Sequence, residues 1–567
     1  MAKDNSNGLT VTPHIGDGAV LLAFDLDKDK VANLAGFSVE CTTPEGRGTF
    51  PTNKYFLTNA LSFENKITSD KKLTSVDYKG SDKAPFQLFH WIHFPSAGEG
   101  QYRYTVYASY FKHNGDLELG PKVNCSVNLM YRSHTSSLEL GFTRGYISSQ
   151  AYVQRFKNEP ISPKPKTIDF DTSGYQKKYQ WLGAHARMMI FDFLKECLKD
   201  TAIHADIFSF DFDEPDIVRN LCKMGKRVRV FQDDSKLHTS ANSIEPKAMD
   251  TLRKAGVLVK TGHFHRFAHD KVIIQKKNNR AIKVLTGSAN FSLRGLYVQA
   301  NSVIIFDDPA SAELYEQAFE QAFTDQSGFS SSIIASKWFD LEIKHNDGGG
   351  TNLKSKGKNL HLSFAPHKTA FSLEKVSSAI EDAKSSVFFA VMAPEGGGTV
   401  MPDLEKLGDK KQLLSLGIIQ MQGQLKLFRP GIGSAVTSFG FLHSQVQEPF
   451  REEWSGGPGQ VIHHKFVVCD FDKESPVVFC GSSNLADGGE KSNGDNLIAI
   501  YDRSIATCYA VEAIRLFDHY RFRNLHENST SNNPLLLDST DKWTKPYYDL
   551  KDIKSRERLI LSLKASQ

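Results

Sequence analysis

The chain has 567 residues and a formal net charge of +4, with 40% hydrophobic and 24% charged residues. That composition is ordinary for a soluble globular protein of several domains or one large composite. The small net charge excludes a histone-like polycation but leaves room for local basic grooves. No apolar run approaches the roughly 20 residues that span a bilayer. The N-terminus, MAKDNSNGLT, lacks a basic segment followed by an apolar one, so no secretory signal is expected and the expected location is cytoplasmic. The seven cysteines (41, 125, 197, 222, 469, 480 and 508) are scattered, odd in number and without a CxxC pair. This points to reduced thiols and away from a Cys-based zinc site. Cys41 and Cys125 are the pair that could join within the N-terminal region.

Residues 1–150 read as β. Apolar-rich runs at 19–25, 86–94, 102–111 and 123–131 alternate with Gly, Asn and Pro turn signals. Such spacing predicts an antiparallel sandwich of immunoglobulin or fibronectin type. No catalytic constellation is visible there, so this region is expected to stand apart from the chemistry and to be the place for a protein or membrane partner. Residues 151–169, rich in Pro and Lys, read as a linker. From 170 to 344 strand and helix patterns alternate: helices near 187–198 and 216–224, strands near 205–212 and 227–231. The alternation predicts a largely parallel sheet covered by helices. Phe208, Phe210 and Phe212 fall at strand spacing and read as core. The Gly-, Asn- and Lys-rich stretch 345–359 reads as a flexible connector. A second α/β cycle occupies 360–530, and 531–567 reads as a C-terminal tail.

An internal repeat links the two cycles. The first copy has His269-Asp270-Lys271 in an apolar run and then Gly287-Ser288-Ala289-Asn290. The second has His463-His464-Lys465 and then Gly481-Ser482-Ser483-Asn484. The offset from His to Gly is 18 residues in both copies. Each GSxN precedes an Asn that opens an apolar strand, Asn301 and Asn496, and each such strand leads into a predicted helix. On a strand, His and Lys at i and i+2 point the same way, which puts an imidazole beside a fixed cation. The Gly-Ser turn admits close backbone approach, and Ser288, Asn290, Ser482 and Asn484 can hydrogen-bond phosphate oxygens. Two copies facing one another would surround a phosphodiester. One histidine would attack phosphorus, the other would protonate the leaving oxygen, and Lys271 and Lys465 would stabilise the non-bridging oxygens.

The paired HxK and GSxN motifs resemble those of the phospholipase D superfamily over residues of about 175–525. The resemblance implies an α/β fold: two mixed-sheet halves related by a pseudo-twofold axis, here preceded by the N-terminal β-sandwich. It also implies a metal-independent mechanism through a phosphohistidine, with no cofactor and with the active unit formed within one chain. The family's full motif, HxKxxxxD, is complete in the second half at Asp470, an orienting or structural residue. In the first half Lys276 occupies that position. Asp495 falls in a segment resembling the one in which small phospholipase D-like nucleases carry an acid that orients the catalytic histidine. Matching Asn301 with Asn496 makes Ala300 its counterpart in the first half, so Asp495 is expected to brace His463 and make it the nucleophile, with His269 as general acid. Asp211 or Asp213 could serve His269 instead. His464 should point away from the site into the core. His263 and His265, although near His269, read as loop residues rather than metal ligands, because no carboxylate pair accompanies them. The preferred substrate is nucleic acid. The alternatives are a phospholipid, for which Val400, Met401, Phe439–Leu442 and Trp454 could supply an apolar rim, and a weakly active binding or targeting protein.

Overall fold

The computed structural model describes residues 4–44, 53–70, 77–96, 98–130, 137–145, 150–164, 166–240, 243–344, 358–392, 396–410, 413–421, 424–428, 435–438 and 461–564. The N-terminal region forms two antiparallel sheets. One runs Asp4–Ser6, Leu9–Gly16, Ala19–Leu26, His90–His93; the other runs Leu117–Leu129, Gly100–Phe111, Leu34–Thr42, Lys54–Phe56. Strict alternation in Leu117–Leu129 sends Val123, Cys125, Val127 and Leu129 inward and their neighbours to solvent, as a half-buried strand requires. The inner faces pack Leu22, Phe24, Phe37, Val39, Tyr104 and Val106 into one core. Cys41 and Cys125 both lie opposite Tyr104, on the strands to either side of it. One strand therefore separates them, and among the described residues, which include all seven cysteines, no disulfide forms.

Each α/β half is built on a mixed sheet. The first has seven strands in the order Leu138–Phe142, Ser302–Phe306, Arg280–Gly287, Val272–Lys277, Ile203–Ser209, Val228–Asp233, Leu258–Gly262. Only the last three are mutually parallel, joined by the helices Pro215–Met224 and Glu245–Lys254. The rest are antiparallel, so the largely parallel sheet expected from the alternation is half right: the motif strands run as hairpins. The second sheet repeats this plan in the order Phe339–Leu341, Leu360–Ala365, Asn493–Ile500, Val477–Gly481, Lys465–Cys469, Ser386–Met392, Leu414–Met421, Gln424–Phe428, Ala435–Ser438. Helix Arg503–Glu527 begins at Asp502, whose side chain accepts from Ser504 and Ile505 amides as an N-cap. Its flanks are buried beneath the second sheet and the sandwich strand Leu9–Gly16.

Two segments lie differently from their sequence reading. Strand Leu138–Phe142, from the region expected to stand apart, is the edge strand of the first α/β sheet. Five residues with apolar side chains at alternate positions, Leu138, Leu140 and Phe142, fit a sheet edge as well as a sandwich, so composition could not separate the two. The C-terminal segment folds back onto the sandwich. Trp543 Nε1 donates to Leu34 O at 2.9 Å, Tyr548 Oη to Leu26 O at 2.5 Å, and Arg558 pairs with buried Asp25. Tyr547, 1% exposed, packs against Phe89 with ring centroids 4.5 Å apart. Replacing a fully buried aromatic by Ala leaves a cavity costing about 3–5 kcal/mol. Tyr547→Ala should therefore lower the stability of the sandwich by at least about 3 kcal/mol, read by urea unfolding followed through Trp91 and Trp543 fluorescence. A loss below about 1 kcal/mol would show that this contact does not hold the sandwich.

Candidate active site

The two halves meet through short backbone bridges placed just before each histidine. Phe267–Ala268 pairs in parallel with Asn493–Gly494, and His269 N donates to Gly494 O at 2.8 Å. In the other direction Ile462 bridges Ala300, and His463 N donates to Ala300 O at 3.1 Å. His269 and Lys271 therefore sit at the mouth of strand Val272–Lys277, and Lys465 opens strand Lys465–Cys469. The imidazoles face one another with centroids 6.5 Å apart.

The GSxN turns fix the register. Gly287 has φ +137° and Gly481 φ +130°, and a Cβ on either would overlap the carbonyl of Ser302 or Asn496. Only glycine fits there. Gly287 pairs with Val303, and Gly481 with Leu497. Asn301 and Asp495 are thus equivalent, each 32 residues beyond its own histidine. This corrects the alignment that matched Asn301 with Asn496 and Asp495 with Ala300: two identical asparagines one register apart misled it. The true counterpart of Asn496 is Ser302.

Asp495 does not brace His463. Its Oδ1 lies 2.7 Å from Nδ1 of His269, across the boundary between the halves. His463 Nδ1 donates to Asn301 Oδ1 at 2.8 Å and to Ser288 O at 3.0 Å. Each half thus supplies the brace for the other's histidine: a carboxylate for His269, an amide for His463. Carbonyl oxygens can only accept, so Nδ1 of His463 carries the proton and Nε2 presents its lone pair. Among the described residues neither Nε2 makes a hydrogen bond. Asp211 and Asp213 do not contact His269 by hydrogen bond: Asp211 meets His238 and Asn290, and Asp213 meets Lys166 and Leu293 N.

The lysines are anchored to their own motifs. Lys271 Nζ donates to His269 O and stands 4.9 Å from the Phe210 ring centroid. Lys465 Nζ donates to His463 O at 2.7 Å and lies 3.9 Å from Met392 Sδ. Sheet register makes Phe210 and Met392 equivalent. Phe210, which reads as core in the sequence, also meets the His269 ring edge-on at 4.7 Å. Burial, helped by both lysines, holds His269 and His463 well below the usual histidine range. Burial pushes Lys271 down to about 8 against the pull of Asp495. Lys465 is held well below the usual range by burial and by Lys271. Burial also raises Asp495 to about 7, with Lys271 opposing.

The other expected residues divide. Ser288 Oγ donates to Asn301 Oδ1 at 2.9 Å and Ser482 Oγ to Asp270 Oδ1 at 3.1 Å, so both hydroxyl protons are spent inside the fold. Asn290 Nδ2 donates to Asp211 at 2.7 Å, while the amide oxygens of Asn290 and Asn484 are buried without a hydrogen-bond partner among the described residues. Asp470 lies away from the histidines, gripping the amides of Lys384, Ser385 and Ser386. His464 turns inward to Glu512 at 3.0 Å. Three residues escaped the sequence reading. Asp270 accepts from Asn496 Nδ2 at 2.6 Å and, through burial and nearby Asp495, rises to about 7; a charged residue inside an apolar run was the signal. Thr143 accepts from Asn301 N at 2.9 Å and donates to Gln299 O at 2.6 Å. It ties the N-terminal 150 residues to the brace of His463, against the expectation that this region stands apart. The third, His238, has no motif to mark it.

Two groups have the composition to hold a metal among the described residues: Asp211, His238 and Glu245, and Asp206, Glu316 and Glu320. In the first, both nitrogens of His238 already face carboxylates. In the second, Arg229 and Lys276 neutralise the acids. His263 and His265 are exposed, with His263 Nδ1 2.5 Å from Asp234.

Residues 194–323 match the family model described as cardiolipin synthase, PLD-like domain. A mitochondrial cardiolipin hydrolase from Xenopus tropicalis is 29% identical over 119 residues, covering 20% of this chain and 52% of that protein. The chain thus spans about half the length of the curated relatives it matches. Among solved structures, Nuc from Salmonella typhimurium, a phospholipase D family member, is 21% identical, with 24% of this chain and 86% of that one covered at a TM-score of 0.20. The phosphatidylserine synthase of Haemophilus influenzae is 10% identical, with 67% and 92% covered at a TM-score of 0.37. With the family match over the first motif and a second HxK–GSxN unit folded face to face with it, the chain belongs to the phospholipase D superfamily.

Proposed function

We propose that this chain is a metal-independent phosphodiesterase that cleaves nucleic acid through a phosphohistidine. The observation that carries the reading is the facing pair of imidazoles, each held at Nδ1 and open at Nε2. His269 is the nucleophile. As its Nε2 bonds to phosphorus the ring becomes cationic, and the Asp495 carboxylate at Nδ1 stabilises that charge. The phosphorus–oxygen bond to the leaving group breaks, and His463, protonated at Nε2 beside the phosphate anion, gives its proton to the leaving oxygen. His463 then takes a proton from water, whose oxygen displaces His269 from phosphorus. Lys271 and Lys465 face the non-bridging oxygens. Asn290 and Asn484 are the remaining polar groups for the substrate. The assignment of nucleophile is the reverse of the one drawn from the sequence, because Asp495 serves the opposite histidine.

Nucleic acid is favoured by a cation–aromatic pair next to the site, with Arg266 exposed and Phe267 half-buried. The Arg266 guanidinium stacks 4.8 Å from the Phe267 centroid, two residues before His269. Such a pair suits an unpaired base and its phosphate. The phospholipid reading has two supports: the cardiolipin hydrolase relatives, and Leu237, 60% exposed beside His238. Val400 is buried and supplies no rim, and Phe439–Leu442 and Trp454 lie outside the described residues.

Single-stranded DNA, RNA, plasmid, phosphatidylcholine vesicles and cardiolipin vesicles should be offered in parallel, with and without EDTA. Cleavage of single strands that survives EDTA is expected, because lysines rather than a metal meet the phosphate charge. Separate His269→Asn and His463→Asn variants should fold and lose about 10²–10⁴-fold in turnover. Activity confined to the vesicles would transfer the reading to phospholipid. Near-full activity of either variant would remove the two-histidine mechanism.

The pH dependence follows from the buried charges. Asp495 and Asp270, near 7, must ionise to hold the site's cations, so kcat/KM should rise through about pH 7. Lys271 must stay protonated to meet phosphate, so activity should fall above about pH 8. In Asp495→Asn the rise near neutrality should weaken as overall turnover drops. An unchanged profile would detach Asp495 from His269.

A further inference from the structure

A largely buried chain of polar side chains runs along the His269 side of the cleft to Asn290, and the two-histidine chemistry does not call on its central residue, His238. Asp233 ends strand Val228–Asp233, and His238 lies in the short helix Lys236–Thr239. Asp233 Oδ2 accepts from Ala268 N, the amide just before His269, at 2.6 Å. Asp233 Oδ1 lies 2.7 Å from His238 Nδ1, and His238 Nε2 lies 3.0 Å from Asp211 Oδ1. The second oxygen of Asp211 accepts from Asn290 Nδ2 at 2.7 Å. The His238 ring also packs edge-on against Phe210, with centroids 4.5 Å apart. His238 is 4% exposed and Asp233 1%.

Ionised carboxylates only accept hydrogen bonds, so both nitrogens of His238 carry protons and the ring is an imidazolium. Burial opposes that charge, but Asp211, Asp233 and Glu245 raise the group to about 10. The second half has only part of this arrangement. Register makes Gln420 the counterpart of Asp233, and its Oε1 accepts from Ile462 N, the amide before His463, at 3.2 Å. The position matching Asp211 is Ala393, which is outside the described residues and has no carboxylate. The first half has thus replaced an amide by a carboxylate, added a second one, and set a cation between them.

We propose that His238 is a positioning residue for the phosphodiester site: as an imidazolium it ties Asp233 to Asp211, and so fixes both the backbone leading into His269 and the amide of Asn290. The proposal rests on the phosphodiesterase reading for its kinetic consequence but on geometry for the link itself. His238 also balances two carboxylates close to the nucleophile. His269 is faced by Lys271, Lys465, His463, Asp211, Asp233 and Asp495. Arg294 and Lys271 also act on Asp211, but without the imidazolium Asp211 and Asp233 lose their shared hydrogen-bonded cation, act more strongly on His269 and favour its protonated form.

The test uses the full chain carrying His238→Gln or His238→Ala, with bis(4-nitrophenyl) phosphate as substrate and exposed His263→Ala as control. Selective ¹⁵N-imidazole NMR reads the titration of His269 directly. Both His238 variants should lose about 10–100-fold in kcat with little change in KM, the range for groups that orient a reacting residue. The NMR titration of His269 should move to higher pH, and the acid limb of kcat/KM, set by Asp495 and Asp270, should move the same way, because the less compensated carboxylates disfavour their ionisation. Gln, which keeps one donor, should recover part of kcat but none of the pH shift; a purely structural role would not move the titration. If wild type fails to turn over any phosphodiester, the phosphodiesterase reading falls, and the NMR titration still decides the link. If neither His238 variant folds, Asp211→Asn removes one carboxylate and should move the titration downward. A folded variant with wild-type kcat and an unmoved His269 titration would overturn the proposal.

Discussion

The site depends on backbone pairing between the two halves. The hydrogen bonds from His269 N to Gly494 O and from His463 N to Ala300 O set each histidine one residue beyond a bridge to the opposite half. The residue following each carbonyl then falls on the imidazole: Asp495 on His269, Asn301 on His463. Neither half holds a complete histidine site by itself. Duplication within one chain makes the pairing intramolecular, and it also lets the two copies diverge, because each brace is encoded once.

They have diverged in charge. Around His269 the bracing and backbone-holding positions are Asp495 and Asp233; around His463 the same positions are Asn301 and Gln420. In the proposed mechanism the carboxylates stabilise a ring that becomes cationic while bonding to phosphorus. Amides hold orientation without raising the ring's affinity for its proton, which suits a group that must give one away. One buried negative charge would be costly, and several more so. Lys271 and the His238 imidazolium offset it on the His269 side, and the hydrogen bonds to Asp270 from Ser482 and Asn496 satisfy the carboxylate next to the histidine.

Much of this is legible in the amino-acid sequence. The equal 18-residue spacing from His to Gly marked two copies of one unit, and both GSxN glycines stand where only glycine fits. The alternation of the sandwich strands was equally plain. What misled the reading was identity. Asn301 and Asn496 look alike, yet the 32-residue offset common to Asn301 and Asp495 is the one the sheet register obeys. Partners across the boundary could not be assigned, because a motif's spacing fixes only contacts within its own half. Thr143, His238 and Phe210 were hidden for a related reason. Each acts through a neighbour distant in sequence, and none differs in composition from an ordinary core or turn residue. The strand Leu138–Phe142 shows the same limit, since an edge strand's pattern does not name its sheet.

The central claim is that the carboxylate-braced histidine of the first half, and not that of the second, bonds to phosphorus. Acid-quench trapping with a slow phosphodiester, followed by peptide mass spectrometry, tests it most directly. The account predicts phosphate on the peptide containing His269. Phosphate on the peptide containing His463 would contradict it.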